Sequence, residues 1–273
     1  MEGLTSTKAK LLITLLDMEE KFRTTTHIAQ LYGVSKSTIS RAADWCEDNN
    51  LIQRKANRTL SLTNYGRKKS SQLMANREIV SNWCRACGIS QQNAVNDCEL
   101  LYFNCSQEML NIFQKQCVMA DAKKELVKRQ KPTSSHFCRA IPNGEYSVPF
   151  AFYKHKSMGR GELSMANEGF IHPAHIRIQD SDGTIILRAT KIQRRSFCSG
   201  CTMVGTVQSV RYKKDGMLVE AVKVGGEFTL PIDIIKFVSI ADDVANGVTT
   251  LSINSTVGNI HMPESEVDLE LLI

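Results

Sequence analysis

Apolar positions recur at helical spacing through the first half of the chain and alternate in short runs through the second. Residues 8–22 carry Leu11, Leu12, Leu15, Leu16, Met18 and Phe22 at a spacing that predicts an amphipathic helix. A second short helix is expected from Thr26 to Tyr32, stopped by Gly33, and a third after Ser35 as N-cap, running to about Asn49. Leu51-Ile52-Gln53-Arg54 and Thr59-Leu60-Ser61-Leu62-Thr63 then alternate around a polar, basic turn, the pattern of two short strands. A long helix is expected from about Asn64 to Cys87, broken at Gly88, with further helical stretches near 91–104 and 106–120.

Beyond Lys131-Pro132-Thr133-Ser134-Ser135 the texture changes. Short runs such as Thr184-Ile185-Ile186-Leu187 and Met217-Leu218-Val219-Glu220 stand between the turn signals Asn143-Gly144, Asp182-Gly183, Asp215-Gly216, Gly225-Gly226 and Asn246-Gly247. The expected class is therefore α+β: an N-terminal winged helix-turn-helix over 1–65, a helical region over 66–131, and a mainly β domain over 136–273.

Composition sharpens this picture at three points. The 273 residues contain 42% hydrophobic and 23% charged residues, which excludes a disordered or fibrous chain. No apolar run is long enough for a membrane helix, and the N-terminus lacks a cleavage site, so a cytoplasmic protein with no membrane partner is expected. The net charge of +6 is concentrated: residues 1–77 hold 13 Lys+Arg against 7 Asp+Glu, and the remainder balances at 21 against 21. A basic module on a neutral remainder fits a polyanion partner.

The segment Thr26–Asn50 supplies a matching motif. A short helix packs through Ile28, Ala29 and Leu31, Gly33 turns the chain, and the next helix opens with Ser35-Lys36-Ser37-Thr38-Ile39-Ser40-Arg41. Small hydroxyl residues at a helix N-terminus approach phosphates and base edges closely, and the free N–H groups there favour anions. Ile39, Ala42, Ala43 and Trp45 form the inward side, leaving Lys36, Ser37, Ser40 and Arg41 outward. Ser35, Lys36, Ser37, Thr38, Ser40 and Arg41 are thus the expected readers of a major groove in double-stranded DNA. Arg54, Lys55 and Arg58 on the β-turn-β are the expected backbone contacts. A plain three-helix bundle with a hairpin is the alternative.

The segments HIAQLYGVSKSTISRAADWCEDNNLI, LSLTNYGRKK, MANREIVSNWCRACGI and NAVNDCELLYFNCSQEML follow one another in an order and spacing that resembles the DtxR/MntR family of metal-dependent transcriptional repressors. The resemblance covers about residues 5–120; the helix-turn-helix and wing are shared with MarR-type repressors, and the helices after them are the more specific part. It implies a homodimer built on the helices after the wing, placing two recognition helices on a palindromic operator. It also implies an Fe(II) or Mn(II) site, but the corresponding positions here carry Lys8, Leu11, Arg77, Glu99, Tyr102 and Phe103. Only Glu99 has the chemistry to hold a hard cation. Lys8 and Arg77 are expected to pair with Glu99 in place of the metal's charge, so the regulatory signal is expected to differ from the family's.

The nine cysteines point to other signals. Cys84, Cys87, Cys98, Cys105 and Cys117 are expected as packing residues of the helices. Cys198-Ser-Gly-Cys201 has the spacing of half a zinc site; metal, redox dithiol and structural turn stay open, with His136-Phe-Cys138 and His172-Pro-Ala-His175 as further ligand-spaced pairs. Nothing points to an enzyme: Gly159-Arg160-Gly161 lacks the strand and helix of a phosphate loop, and neither a nucleophile elbow nor HExxH occurs. The reading is a homodimeric DNA-binding regulator with a small-molecule or protein effector at the C-terminal domain. A partner-binding adaptor that keeps the winged helix as a dimerisation scaffold, or a thiol- or zinc-responsive regulator, are the alternatives.

Overall fold

The computed structural model describes residues 3–129, 132–155, 161–195, 202–241, 244–257 and 260–273. The chain divides into two compact units, Met1–Cys117 and Val118–Ile273. The fold is α+β, with a helical N-terminal region and sheets in the C-terminal one.

In the first unit, α1 (Ser6–Asp17) buries Leu11, Leu12 and Leu15. The helix expected over 8–22 stops at Asp17, and Glu20–Phe22 form a separate 3-10 turn. Asp17, Glu19 and Glu20 crowd the carbonyl end of the helix, where the dipole disfavours negative charge, and Arg23 Nε binds the freed Met18 carbonyl at 2.7 Å. Then α2 (Thr25–Tyr32) begins at Thr24, whose hydroxyl accepts the His27 amide, and ends at Gly33 with φ 65°. That left-handed stop is one glycine adopts without steric cost. Next, α3 (Lys36–Asp48) is capped by the Ser35 hydroxyl and buries Ile39, Ala42, Ala43 and Cys46. Strands β1 (Ile52–Arg54) and β2 (Leu60–Leu62) pair antiparallel, Ile52 opposite Leu62 and Arg54 opposite Leu60.

The Leu62-Thr63-Asn64-Tyr65-Gly66 segment locks this hairpin to α4 (Asn64–Ala86). Leu62 is buried; Thr63 caps the helix by accepting the Gly66 amide at 2.9 Å and donates its hydroxyl to the Asn50 carbonyl at 2.6 Å. Gly66 lies so close to Leu51, just before β1, that a Cβ there would stand 1.7 Å from the Leu51 carbonyl oxygen. α5 (Gln91–Leu101) and α6 (Gln107–Val127) follow; Tyr102, Leu110 and Phe113 join the same core as Leu11, Ile28 and Leu60. Cys84 and Cys98 are buried as expected, but Cys87 is exposed because it caps α4 rather than continuing its apolar face.

The second unit begins within α6 and continues with α7 (Ser134–Ala140), a helix the sequence pattern did not signal. Its first sheet has the antiparallel order β10 (Val222–Val224), β11 (Glu227–Pro231), β6 (Asp182–Ala189), β5 (Phe170–Gln179), β3 (Gly144–Val148). The second runs β4 (Phe150–Lys154), β15 (Ser265–Leu272), β13 (Val244–Val257), β8 (Thr202–Lys214), β7 (Ile192–Arg195). In addition β9 (Met217–Glu220) pairs with β8, while β12 (Lys236–Ala241) and β14 (Ile260–His261) pair with β13. Alternate residues of both sheets, among them Ile176, Ile185, Phe228, Val210, Leu251 and Leu269, share one core with Phe137 of α7. Rings of Phe152 and Phe170 meet across it at 5.1 Å.

Three turn signals fall where expected: Asn143-Gly144 opens β3, while Asp215-Gly216 and Gly225-Gly226 close hairpins, with Asp215 and Gly216 at φ 51° and 81°. The other two do not. The β5–β6 hairpin turns on Asp180-Ser181, both at positive φ, and Gly183 sits within β6. A Cβ at Gly183 would meet Ile232 at 2.7 Å and Cys138 at 2.8 Å, so packing rather than turning calls for glycine there. Asn246-Gly247 lies inside β13, with Asn246 buried and its amide donating to Glu270.

Candidate nucleic-acid interface

The N-terminal end of α3 is exposed at Ser35, Lys36, Ser37 and Arg41, with Thr38 and Ser40 half-buried. Ser35 Oγ accepts the Thr38 amide at 3.2 Å and lies 2.8 Å from both Ser37 Oγ and Thr38 Oγ1. This hydroxyl cluster holds the first turn in place while leaving Ser37 exposed. Arg41 Nε reaches back to the Ser37 carbonyl at 3.4 Å, so its guanidinium is carried on the same face. The six expected residues are thus gathered on one helix end.

The hairpin cations are placed less simply. Arg54 binds Asp44 and Glu47 of α3 through its guanidinium, and its own amide donates to Glu47 Oε1 at 3.1 Å. These carboxylates hold the Arg54 guanidinium pKa above its ordinary value, the Asp44 hydrogen bond first. Lys55 Nζ meets Glu20 Oε1 at 2.6 Å, and this bond holds the Glu20 carboxyl below its usual range. Arg58, at the tip with φ 62°, makes no ion pair among the described residues. Sequence reasoning found the three cations but missed the carboxylates that hold Arg54 and Lys55. It also gave no role to Arg67 and Lys68, exposed early in α4, although their consecutive charges were a visible signal.

Behind this surface lies the place where the resemblance implies a metal. Arg77 and Glu99 form an ion pair there at 2.6 Å. Lys8 does not join them: its ammonium donates to the Gly3 carbonyl at 2.5 Å and stands 4.2 Å over the Trp45 ring. Leu11 and Tyr102 are fully buried. Burial pushes the Tyr102 phenol well above its usual range, with Glu99 adding to the effect. Tyr32, at the end of α2, shares a hydrogen bond of 2.6 Å with Thr14, and burial pushes its phenol up to about 12. A guanidinium already beside the one carboxylate, flanked by an aliphatic and an un-ionised phenol, does not fit a divalent cation.

The ligand-spaced His and Cys pairs are committed elsewhere. His136 bonds Thr133, His172 stacks on Phe150 and bonds the Asn167 carbonyl, and His175 meets Glu145 at 3.1 Å. Cys138 is buried, its thiol pushed up to about 11. Among the described residues no three His, Cys, Asp or Glu side chains gather as a metal site. Cys198 and Cys201 lie outside the described residues. No helix among the described residues is long and apolar enough to cross a membrane.

No protein-family model matches the chain, and no curated protein matches it. Among solved structures, the manganese regulator SloR aligns over 84% of this chain and all of its own, at 12% identity and a TM-score of 0.39. IdeR of T. acidophilum aligns over 81% of this chain and 93% of its own, at 11% identity and a TM-score of 0.36. The NEAT5 domain of IsdX2, a B. anthracis hemophore in complex with heme, aligns over 48% of this chain and 96% of its own, at 17% identity and a TM-score of 0.31. Likenesses this weak carry no inference about the chain.

Proposed function

We propose that this chain is a sequence-specific DNA-binding transcriptional regulator that works as a homodimer. The observation that carries the reading is the exposed, Ser35-capped end of α3, which presents Lys36, Ser37, Ser40 and Arg41 together beside the β1–β2 hairpin. Short hydroxyl side chains at a helix N-terminus, followed one turn later by an arginine, suit insertion into a major groove. In this reading Ser35 and Thr38 set the helix start, Lys36, Ser37, Ser40 and Arg41 meet base edges and phosphates, and Arg54, Lys55 and Arg58 hold the flanking backbone as a wing.

The homodimer reading rests on the exposed apolar side chains Val95, Leu100, Met109 and Ile112 of α5 and α6, 53%, 62%, 45% and 46% exposed. Large apolar groups concentrated on neighbouring helices are what a self-association surface leaves in the free protomer. The Arg77–Glu99 pair supports a regulator that does not respond to Mn(II) or Fe(II) through the family's site.

The test is capture of genomic fragments by the reduced full-length protein, with and without a strong chelator. Palindromic fragments enriched equally in both arms, and lost on Arg41→Ala by tenfold or more in affinity, are the expected result. A second reading, an interaction adaptor built on the same scaffold, is favoured by the internal pairing of Arg54 and Lys55. Failure to enrich any specific fragment in either arm would replace the first reading by the second.

A further inference from the structure

The second unit contains a cavity of about 390 Å3, within the range of small-molecule sites. Its walls are the 3-10 turn Met165–Gly169, one face of β7–β8, the end of β13, and Met262, Pro263 and Ser265. Among the described residues none of the lining is charged; apart from aliphatic groups and three methionines, the polar side chains are serine and threonine hydroxyls.

Strand register explains how the cavity arises. Gly205 on β8 stands between Ile192 of β7 and Val257 of β13, so the sheet lacks one side chain between two apolar ones. The fold does not call for glycine at this point. Its φ is not in the left-handed region, and an added Cβ would meet nothing nearer than 3.8 Å, an ordinary contact with Ile192 and Thr256. A β-branched residue would fill the gap and strengthen the strand, so the empty position is one where a ligand comes close to the backbone. At the rim, Met165 and Met262 are 64% and 43% exposed, flexible apolar side chains able to fold over an occupant.

We propose that this cavity binds a neutral, largely apolar small molecule carrying one or two hydroxyl or carbonyl groups. Neutrality follows from the described lining, in which a charged ligand would be desolvated with no countercharge to meet it. The apolar body lies over Gly205, against Ile192 and Val257, and Ser255 with Thr190 supplies hydrogen bonds. The inference stands apart from the DNA-binding reading, because its test contains no DNA.

The experiment is a titration of the full-length protein with the neutral fluorophore N-phenyl-1-naphthylamine, alongside the anionic anilinonaphthalene sulfonate. Saturable, blue-shifted emission from the neutral dye, with the anion binding at least tenfold more weakly, is expected. Gly205→Leu, which fills the gap from within the strand, lowers affinity for the neutral dye tenfold or more while the circular dichroism spectrum is kept. Should Gly205→Leu not fold, Met165→Glu, at an exposed rim position, weakens the same binding several-fold and decides the matter. Non-saturable emission, equal affinity for the two dyes, or binding unchanged in every folded variant would overturn the proposal; the last would mean that the dye sits on another apolar surface.

Discussion

The contact between Gly66 and Leu51 makes an unusual forecast, because glycine to alanine inside a helix ordinarily stabilises by about 1 kcal/mol. Here the new Cβ would lie 1.7 Å from the Leu51 carbonyl oxygen and 2.6 Å from its carbon. Carbon and oxygen rest at about 3.3–3.6 Å, so the two backbones must part by roughly 1.5 Å. That movement stretches the Thr63 amide bond to the Leu51 carbonyl, 3.1 Å, and the Thr63 hydroxyl bond to Asn50, 2.6 Å. Two weakened hydrogen bonds at about 1 kcal/mol each and overpacking of about 2–3 kcal/mol, against the propensity gain, leave a net loss of about 3 kcal/mol. For a unit of this size that lowers the midpoint by roughly 10–15 °C. The assay is convenient: both tryptophans, Trp45 and Trp83, lie in the first unit, so their fluorescence follows its unfolding alone. A Gly66→Ala protein melting at or above the parent's midpoint would show that α4 does not rest on the Leu51 carbonyl as described.

Four further outcomes follow from the same contacts. Arg58→Ala should lower affinity for all DNA sequences alike and reduce the slope of log K against log salt by about 1, whereas a sequence-selective loss would place Arg58 on bases instead. Leu100→Glu should convert a dimer to a monomer in sedimentation without changing the melting of the protomer core, since the side chain is 62% exposed; an unchanged sedimentation coefficient would move self-association to another surface. In the native protein near pH 8, Cys87→Ser should remove a fast-reacting thiol, while Cys46 and Cys138, with burial pushing their thiols to about 12 and about 11, react only on unfolding. Rapid labelling of Cys46, read by peptide mass, would contradict its burial. Glu145 is held below the usual carboxylate range, first by its hydrogen bond to Arg177 and then by His175 and Arg188. A lowered folded-state pKa gives stability that is present above the ordinary value and lost as pH falls through the lowered one. The second unit should therefore melt earlier as the pH falls below the ordinary carboxylate value of about 4.3, and Glu145→Gln should flatten that decline in calorimetry.

What the sequence made legible was mostly local. Thr63 and Ser35 announce their helices because a cap needs only its own next three residues, and Gly33 stops α2 for the same kind of reason. The hairpin errors have a different origin. Asp182-Gly183 carries turn chemistry, but Gly183 is glycine because Ile232 and Cys138 press on it from elements up to about fifty residues away, and that pressure leaves no local trace. The candidate interface divides along the same line. The hydroxyl and basic run of α3 was readable, whereas the pairing of Arg54 with Asp44 and Glu47 depends on how a strand crosses a helix. Arg77 does meet Glu99, yet Lys8 turns toward Trp45 instead, where the Gly3 carbonyl accepts its ammonium. The cavity was not legible at all, since its walls come from residues about a hundred positions apart.

The carboxylates that hold Arg54 and Lys55 have a consequence for any polyanion that approaches the hairpin. Each cation can reach a phosphate only by releasing Asp44, Glu47 or Glu20, and the released acid then stands close to the phosphate that displaced it. Such an exchange swaps one ion pair for another and sets free few condensed counterions, so counting the hairpin's positive charges overstates how steeply added salt should weaken the complex. It also makes the hairpin selective by geometry. A phosphate in the right place completes the exchange, while one slightly displaced meets a cation still claimed by its own protein.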